Sequence, residues 1–250
     1  MTFHIITLFP HAFDSYLGES ILKRAIEDKK IKVKFYNPRD FAEGKLTKTT
    51  KDGSSGQQSW LRKRVDRAPY GGGPGMVIQA EPVIRAIEDA RRSLKFEVGS
   101  NKRKKKLSTA NYQLQTPIIW LSPAGKQFTN EFAKKMVGKS SDIIIICGRY
   151  EGIDARVKKA FKVQEVSVGP FVSTGGELPA MLMIDVISRQ VEGVLGDFNS
   201  LEESRVSSSD VYTRPEVFEY KKKKYRVPKV LLSGNQAKIN DWKMNRKKPL

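Results

Sequence analysis

Apolar residues along this chain arrive in short runs with two rhythms. Phe3 to Leu8 is a nearly unbroken apolar run and predicts a buried strand. Ala12 to Lys29 then place Tyr16, Leu17, Ile21, Leu22, Ala25 and Ile26 at helical spacing, and Ile31 to Tyr36 predict a second strand. Asn37 to Met76 are polar and glycine-rich with no sustained period, and end in Tyr70-Gly-Gly-Gly-Pro-Gly-Met76. A stretch that long without a period reads as a functional loop. Glu81 to Leu94 return to a helical pattern, and Lys102 to Lys106 follow as a basic insert that reads as mobile.

From Pro117 the alternation tightens. Strands are expected at Pro117 to Leu121, Asp142 to Cys147 and Val163 to Val168, with helices at Thr129 to Gly138, Ile153 to Phe161 and Ala180 to Val191. Strands separated by helices pair in parallel, so the fold class is α/β. Ile143 to Ile146 lack alternation, as a strand covered on both faces should. Residues 1–195 read as one domain, 196–211 as a linker rich in Asp, Asn, Ser and Glu, and 212–250 as a small, mostly α-helical C-terminal domain. There Ser233-Gly-Asn-Gln236 fits a capping box opening a helix that holds Ile239, Trp242 and Met244.

Charge changes the picture. The 250 residues carry a formal net charge of +19, which favours a polyanionic partner: nucleic acid first, an anionic membrane surface second. The plain alternative is a solvated lysine face. No run reaches the ~18 apolar residues of a membrane span, and the N-terminus lacks the features of a signal peptide, so a soluble, cytoplasmic protein is expected. One cysteine, Cys147, excludes an internal disulfide, and with only His4 and His11 beside it no Cys/His zinc site can be assembled.

Three glycine-bearing segments each follow an expected strand: Leu121-Ser-Pro-Ala-Gly-Lys126, Cys147-Gly-Arg-Tyr-Glu-Gly152, and Ser167-Val-Gly-Pro170 running on to Thr174-Gly-Gly-Glu-Leu-Pro179. Ligands of open parallel sheets bind beyond the carboxyl ends of the strands, so the three should line one crevice; any one alone could be an ordinary strand-to-helix turn. A phosphate-binding P-loop, a G-x-G-x-x-G fingerprint and a G-x-S-x-G elbow are all missing, which argues against a nucleoside triphosphate, a dinucleotide or serine-based acyl transfer.

The segments Tyr70-Gly-Gly-Gly-Pro-Gly-Met76, Leu121-Ser-Pro123, Cys147-Gly-Arg-Tyr-Glu-Gly-Ile-Asp154, Ser173-Thr-Gly-Gly-Glu-Leu-Pro-Ala180, Tyr212-Thr-Arg-Pro-Glu-Val217 and Leu231-Leu-Ser-Gly-Asn235 occur in that order. Together with Ile6-Thr-Leu-Phe-Pro10 and Arg39-Asp-Phe41, they make the chain resemble, over nearly its whole length, the bacterial tRNA (guanine-N1)-methyltransferases of the TrmD type in the SPOUT class. The resemblance implies a homodimer that uses S-adenosylmethionine and methylates N1 of the guanosine 3′ of the anticodon, position 37, in tRNA. It implies a parallel sheet with a deep trefoil knot, an exception to the rule that chains avoid threading. By the same resemblance Leu121, Ser122, Pro123 and Gly125, then Tyr150, Glu151 and Gly152, then Ser167, Val168, Gly169, Ser173, Gly175, Gly176 and Pro179 would enclose the cofactor. Tyr70 and Arg214 would meet the RNA, with neither DNA nor membrane as partner. Mg²⁺ is a family expectation, although no cation cage is legible in these residues.

The reaction sets its own demands. Guanine N1 bears a proton, so transfer from a sulfonium needs a base to remove it and a cation to stabilise charge gathering on O6. The family's arginine corresponds here to Arg189. Its aspartate, usually in an Asp-Ser-Phe triplet, is absent; the linker reads Ser200-Leu-Glu-Glu-Ser-Arg-Val206, which makes Glu203 the expected base and Glu202 its adjacent competitor. Further departures are Trp120 and Ala124 beside Leu-Ser-Pro, and Pro170 where the family has aspartate, which leaves Glu151 and Glu177 as the nearby acids. The lysine runs Lys102 to Lys106 and Lys221 to Lys224 fit phosphate contacts. The competing expectations are an RNA-binding protein on the same fold without catalysis, and a SPOUT methyltransferase for another RNA.

Overall fold

A computed structural model describes residues 1–43, 47–48, 61–100, 116–195 and 210–245. The chain divides into two units, Met1–Val194 and Leu195–Leu250. In the first, β1 (Thr2–Ile6), β2 (Lys32–Tyr36), β3 (Ile118–Gln127), β4 (Asp142–Ile146) and β5 (Val163–Ser167) form one sheet in the order β2-β1-β4-β3-β5, every neighbouring pair parallel. Helices α1 (Ser20–Glu27), α2 (Ala80–Ser100), α3 (Asn130–Lys139), α4 (Arg156–Ala160) and α5 (Glu177–Ser188) cover it.

The isoleucine run of β4 lies at the centre, Ile143 opposite Phe3 of β1 and Ile145 opposite Ile119 of β3. Period-two alternation then sorts the core into two layers. Phe3, Ile5, Ile119, Ile143 and Ile145 pack with Ala133 and Met136 of α3 and with Ala180, Met183, Ile184 and Ile187 of α5. Ile6, Ile118, Trp120, Ile144 and Ile146 pack with Val83, Ala86, Ile87 and Ala90 of α2 and with Val157 of α4. Helices α2 and α5 supply their inward faces at i, i+3, i+4 and i+7, as amphipathic burial requires. His4 is fully buried in the second layer, its Nδ1 2.9 Å from the Tyr36 hydroxyl and its Nε2 3.2 Å from Asp142. Tyr36 in turn lies 2.9 Å from Ser93 Oγ of α2, so this histidine is a satisfied core residue.

Several expected elements are redrawn. The helix expected over Ala12 to Lys29 is a 3-10 turn (Pro10–Phe13), a single helical turn (Asp14–Leu17) and α1. The break falls at Gly18, where a Cβ would lie 2.6 Å from the Asp14 carbonyl oxygen. Within the long loop are a 3-10 turn (Pro38–Phe41) and two antiparallel ribbons of two residues a side. Strand β3 runs past Leu121: both Leu121 and Lys126 stand opposite Val166, so Ser122 to Gly125 are pushed out as a loop from an otherwise continuous pairing.

The second unit holds a hairpin, β6 (Val217–Tyr220) with β7 (Lys223–Arg226), and two helices, α6 (Lys229–Leu232) and α7 (Gln236–Met244). Helix α7 holds Ile239, Trp242 and Met244 as the pattern expects; α6 and the hairpin are additions to it. Helix α7 is capped by Asn235, whose side chain accepts from the Lys238 N–H at 3.1 Å, not by Ser233. Tyr212 and Trp242 pack with ring centroids 6.2 Å apart.

Candidate active site

The carboxyl ends of β3, β4 and β5 open into a cavity of about 460 Å³ built from the three glycine-bearing loops. The β3 loop supplies Leu121, Ser122 and Pro123, and the β4 loop Gly148, Arg149, Tyr150, Glu151 and Gly152. The β5 loop supplies Ser167, Val168, Gly169, Ser173, Gly175 and Gly176, with Pro179 from the first turn of α5. Gly125 does not line the cavity; a Cβ there would lie 2.4 Å from the Val166 backbone nitrogen, so its lack of a side chain lets the excluded loop of β3 lie close against β5. Trp120, Ile153, Ala155, Lys158, Val166, Phe171, Val172 and Thr174 also line it. Trp120 and Thr174 belong to segments expected at the crevice; the apolar Ile153, Ala155 and Val166 were not anticipated there because nothing in spacing marks an apolar residue as wall rather than core.

The loops are fastened to one another by backbone. Gly176 N–H donates to the Gly148 carbonyl at 2.8 Å, Arg149 and Gly175 form an antiparallel bridge, and a Cβ on Gly176 would fall 2.6 Å from Cys147 Cα. Tyr150 holds a left-handed backbone, φ +59°, a conformation that an L-residue keeps only where its surroundings impose it. The segment Gly75-Met76 docks on the β4 loop: Glu151 N–H donates to the Met76 carbonyl at 3.0 Å, and a Cβ at Gly75 would meet the Glu151 carboxylate. Glycine therefore lets this segment lie directly on an acidic side chain of the cavity.

Beneath the loops is a buried polar knot of side chains. Glu177 is 2% exposed; Thr7 Oγ1 donates to its Oε1 at 2.8 Å, and Arg149 Nε lies 2.8 Å from its Oε2 in an ionic contact without hydrogen-bond alignment. The Arg149 guanidinium covers the Phe9 ring at 4.7 Å. Glu177 thus supports the cavity from below instead of facing it, which corrects the expectation that it offers a carboxylate to a ligand. Among the described residues, Glu151 is the one carboxylate in the lining, beside two cations, Arg149 and Lys158. Lys158 Nζ is 2.8 Å from Glu165 and 4.9 Å from the Trp120 ring centroid.

Two titratable groups here depart from their ordinary values. Burial, and then the nearby Glu177 charge, push the Cys147 thiol well up, so this cysteine stays a neutral packing residue. Hydrogen bonds from Arg156, at 2.6 to 3.1 Å, hold the Asp154 carboxyl below the usual range.

Other expected residues lie elsewhere. Arg189 is half-buried at the C-cap of α5, roughly 15 Å along the helix from Pro179 at 1.5 Å per residue, and does not line the cavity. Tyr70 is fully exposed at the head of the glycine segment. Arg214 is exposed in the second unit. Glu203, Glu202 and the Lys102 to Lys106 run lie outside the described residues. Among the described residues no cluster of three or more His, Cys, Asp or Glu side chains is placed to hold a metal ion, and no helix is long and apolar enough to cross a membrane.

Residues 1–249 match the family described as tRNA (Guanine-1)-methyltransferase TrmD. A tRNA (guanine-N(1)-)-methyltransferase of Clostridioides difficile is 41% identical over 247 residues, covering 97% of this chain and 90% of that protein. One from Caldanaerobacter subterraneus is 42% identical over 247 residues, covering 97% and 85%. Among solved structures, the tRNA (m1G37) methyltransferase from Aquifex aeolicus superposes with a TM-score of 0.66 at 32% identity, covering 98% of this chain and 88% of that one. A match that runs from the first strand to the last described helix, over a cavity made by the very segments that carry the family's motifs, places this chain in the TrmD family of tRNA (guanine-1)-methyltransferases.

Proposed function

We propose that this chain transfers a methyl group from S-adenosylmethionine to N1 of the guanosine at position 37 of tRNA, as a cytoplasmic homodimer. The observation that carries the reading is the full-length family match together with the three-loop cavity. The cavity suits the cofactor in size and chemistry: glycine backbone at close approach, apolar walls from Leu121, Val168 and Pro179, and a carboxylate, Glu151, for a cationic ligand. When bound, S-adenosylmethionine supplies an electrophilic methyl group on a sulfonium. We assign its enclosure to Leu121, Ser122, Pro123, Tyr150, Glu151, Gly152, Ser167, Val168, Gly169, Ser173, Gly175, Gly176 and Pro179, with Gly125 acting through its packing on β5. The double pairing at Val166 and the Gly176 to Gly148 bond support interleaved loops of the trefoil kind.

The chain's own residues then manage a proton and a charge. Glu203 removes the N1 proton, which frees the ring lone pair, and the Arg189 guanidinium stabilises the negative charge that shifts to O6. Arg189 lies too far along α5 to serve the cavity of its own protomer, which favours a site completed by a second copy. Exposed Phe171, Val172, Leu178 and Leu182, on the β5 loop and α5, provide an apolar surface for that contact. Tyr70, Arg214 and the lysine runs are assigned to the RNA.

The test is methyl transfer from labelled S-adenosylmethionine to an unmodified tRNA with guanosine at position 37, mapped by reverse-transcription arrest. Arrest at that guanosine, lost when another base replaces it, is the expected result. Cofactor binding without transfer to any tRNA would overturn it in favour of an RNA-binding role.

A further inference from the structure

In the hairpin of the second unit, Phe218 stands opposite Tyr225 and Tyr220 opposite Lys223. Side chains alternate across a strand, so these four share one face of the ribbon, and Val217, Glu219, Lys224 and Arg226 share the other. The rings of Phe218 and Tyr225 are stacked, centroids 5.1 Å apart and planes 12° from parallel. Lys223 Nζ lies 5.6 Å from the Tyr225 ring and Lys221 Nζ 5.3 Å from the Tyr220 ring. A ribbon this small ordinarily hides such a face, yet Phe218, Tyr220 and Tyr225 are 55%, 57% and 40% exposed. Lys223 shares this face and Lys221 and Lys222 form the turn at its end, while Lys224 lies on the other face; all four are exposed.

The occupant must tolerate lysine and offer flat faces to aromatic rings. If this face paired with its own copy, Lys221 and Lys223 would meet the same lysines of the second chain, so like charge opposes that pairing at this face. Unpaired nucleotides meet both conditions: the phosphate answers the lysines, and a base extends a stack whose first two members are already parallel. We propose that this hairpin face is a stacking platform for unpaired nucleotides of the tRNA substrate, separate from the cavity where the methyl group is transferred. The proposal rests on the tRNA reading above and adds to phosphate contact a base contact that does not depend on sequence.

The experiment uses the full-length protein and two probes, a whole tRNA and a short single-stranded oligoribonucleotide, each carrying 2-aminopurine at an unpaired position. Stacking is expected to quench the fluorophore on binding. Phe218→Val with Tyr225→Val, which keep strand propensity, should abolish the quench and weaken binding about tenfold or more. Replacing Lys221 to Lys224 by Gln should instead flatten the salt dependence of binding and leave the quench at saturation. Wild-type protein that binds both RNAs without quenching overturns the platform whatever the variants do. So does a double variant with unchanged affinity, in which case normal methylation would leave the transfer reading standing. Quenching by an enzyme that methylates no tRNA keeps the platform and sinks the transfer reading. A double variant that keeps its RNA affinity but becomes monomeric in sedimentation, or loses binding to anionic phosphatidylserine vesicles, reassigns the face to a subunit or membrane contact.

Discussion

Glu177 shows how one residue can belong to a site without facing it. Its motif, Thr174-Gly-Gly-Glu-Leu-Pro179, marks it in sequence as part of the third loop. Only the structure shows its carboxylate below the loops, between Thr7 and Arg149, joining the segment after β1 to the loops after β4 and β5. Removing one partner of a fully buried ion pair costs about 3–5 kcal/mol, and less where, as for Arg149, the remaining charge is about a quarter exposed to solvent. Glu177→Ala should therefore lower the melting temperature markedly, and should also raise the cofactor's Kd because Arg149 lines the cavity. Calorimetric titration checks the second effect; unchanged affinity in a folded variant would deny the supporting role. Gly125 is the converse case: it was expected at the ligand, and its side-chain hydrogen instead makes room for the backbone of Val166.

Among elements, the largest surprise is the β6–β7 hairpin, and its turn explains why pattern reading passed over it. Lys221 and Lys222 sit at φ +49° and +59°, the left-handed pair that a two-residue hairpin needs and that Asn-Gly normally announces. Lysine in that region is strained, so Lys222→Gly should stabilise the unit by up to ~1 kcal/mol, measurable as a rise in its unfolding midpoint in urea. The start of α5 is an equally physical miss. Its helix begins at Glu177, with Pro179 in the first turn, where the missing N–H has no intrahelical partner to lose. The turn into α4 has a pH signature. Because Asp154 titrates lower in the folded chain than its ordinary value near 3.9, its bond to Arg156 stabilises fully above that value and is lost as pH falls through the lowered one. The difference in melting temperature between wild type and Asp154→Asn should accordingly shrink on acidification below about pH 4; a gap independent of pH would contradict it.

For the whole molecule, the decisive question is whether one active site draws on two protomers. A cofactor-cavity variant, Gly176→Val, whose side chain would press on Cys147 Cα, and a proton-transfer variant, Glu203→Gln, should each be inactive alone. Loss of a general base costs about 10²- to 10⁴-fold in turnover. Mixed and re-annealed, the two should regain activity if each site takes its cavity from one chain and its base from the other, since one site in the mixed dimer then carries neither defect. Glu203→Gln alone should keep its cofactor-induced rise in melting temperature. A mixture that stays inactive would place base and cavity on the same chain.

The parallel sheet, its two-sided central strand, the three loops that line the cavity and the net positive charge were all legible in residue order, because they depend on periods of two and 3.6, on glycine after strands and on charge balance. Phe3 and Ile143 could be placed in buried strands from their apolar runs alone. Which loop residues face a ligand and which face one another could not, because that depends on contacts between segments far apart in the chain. Thr7 meets Glu177 across 170 positions, Gly125 packs against the Val166 backbone of β5, and Gly75 rests on Glu151. Local periodicity contains no term for such encounters; only the folded chain, with every backbone group and charge seeking a partner, selects them.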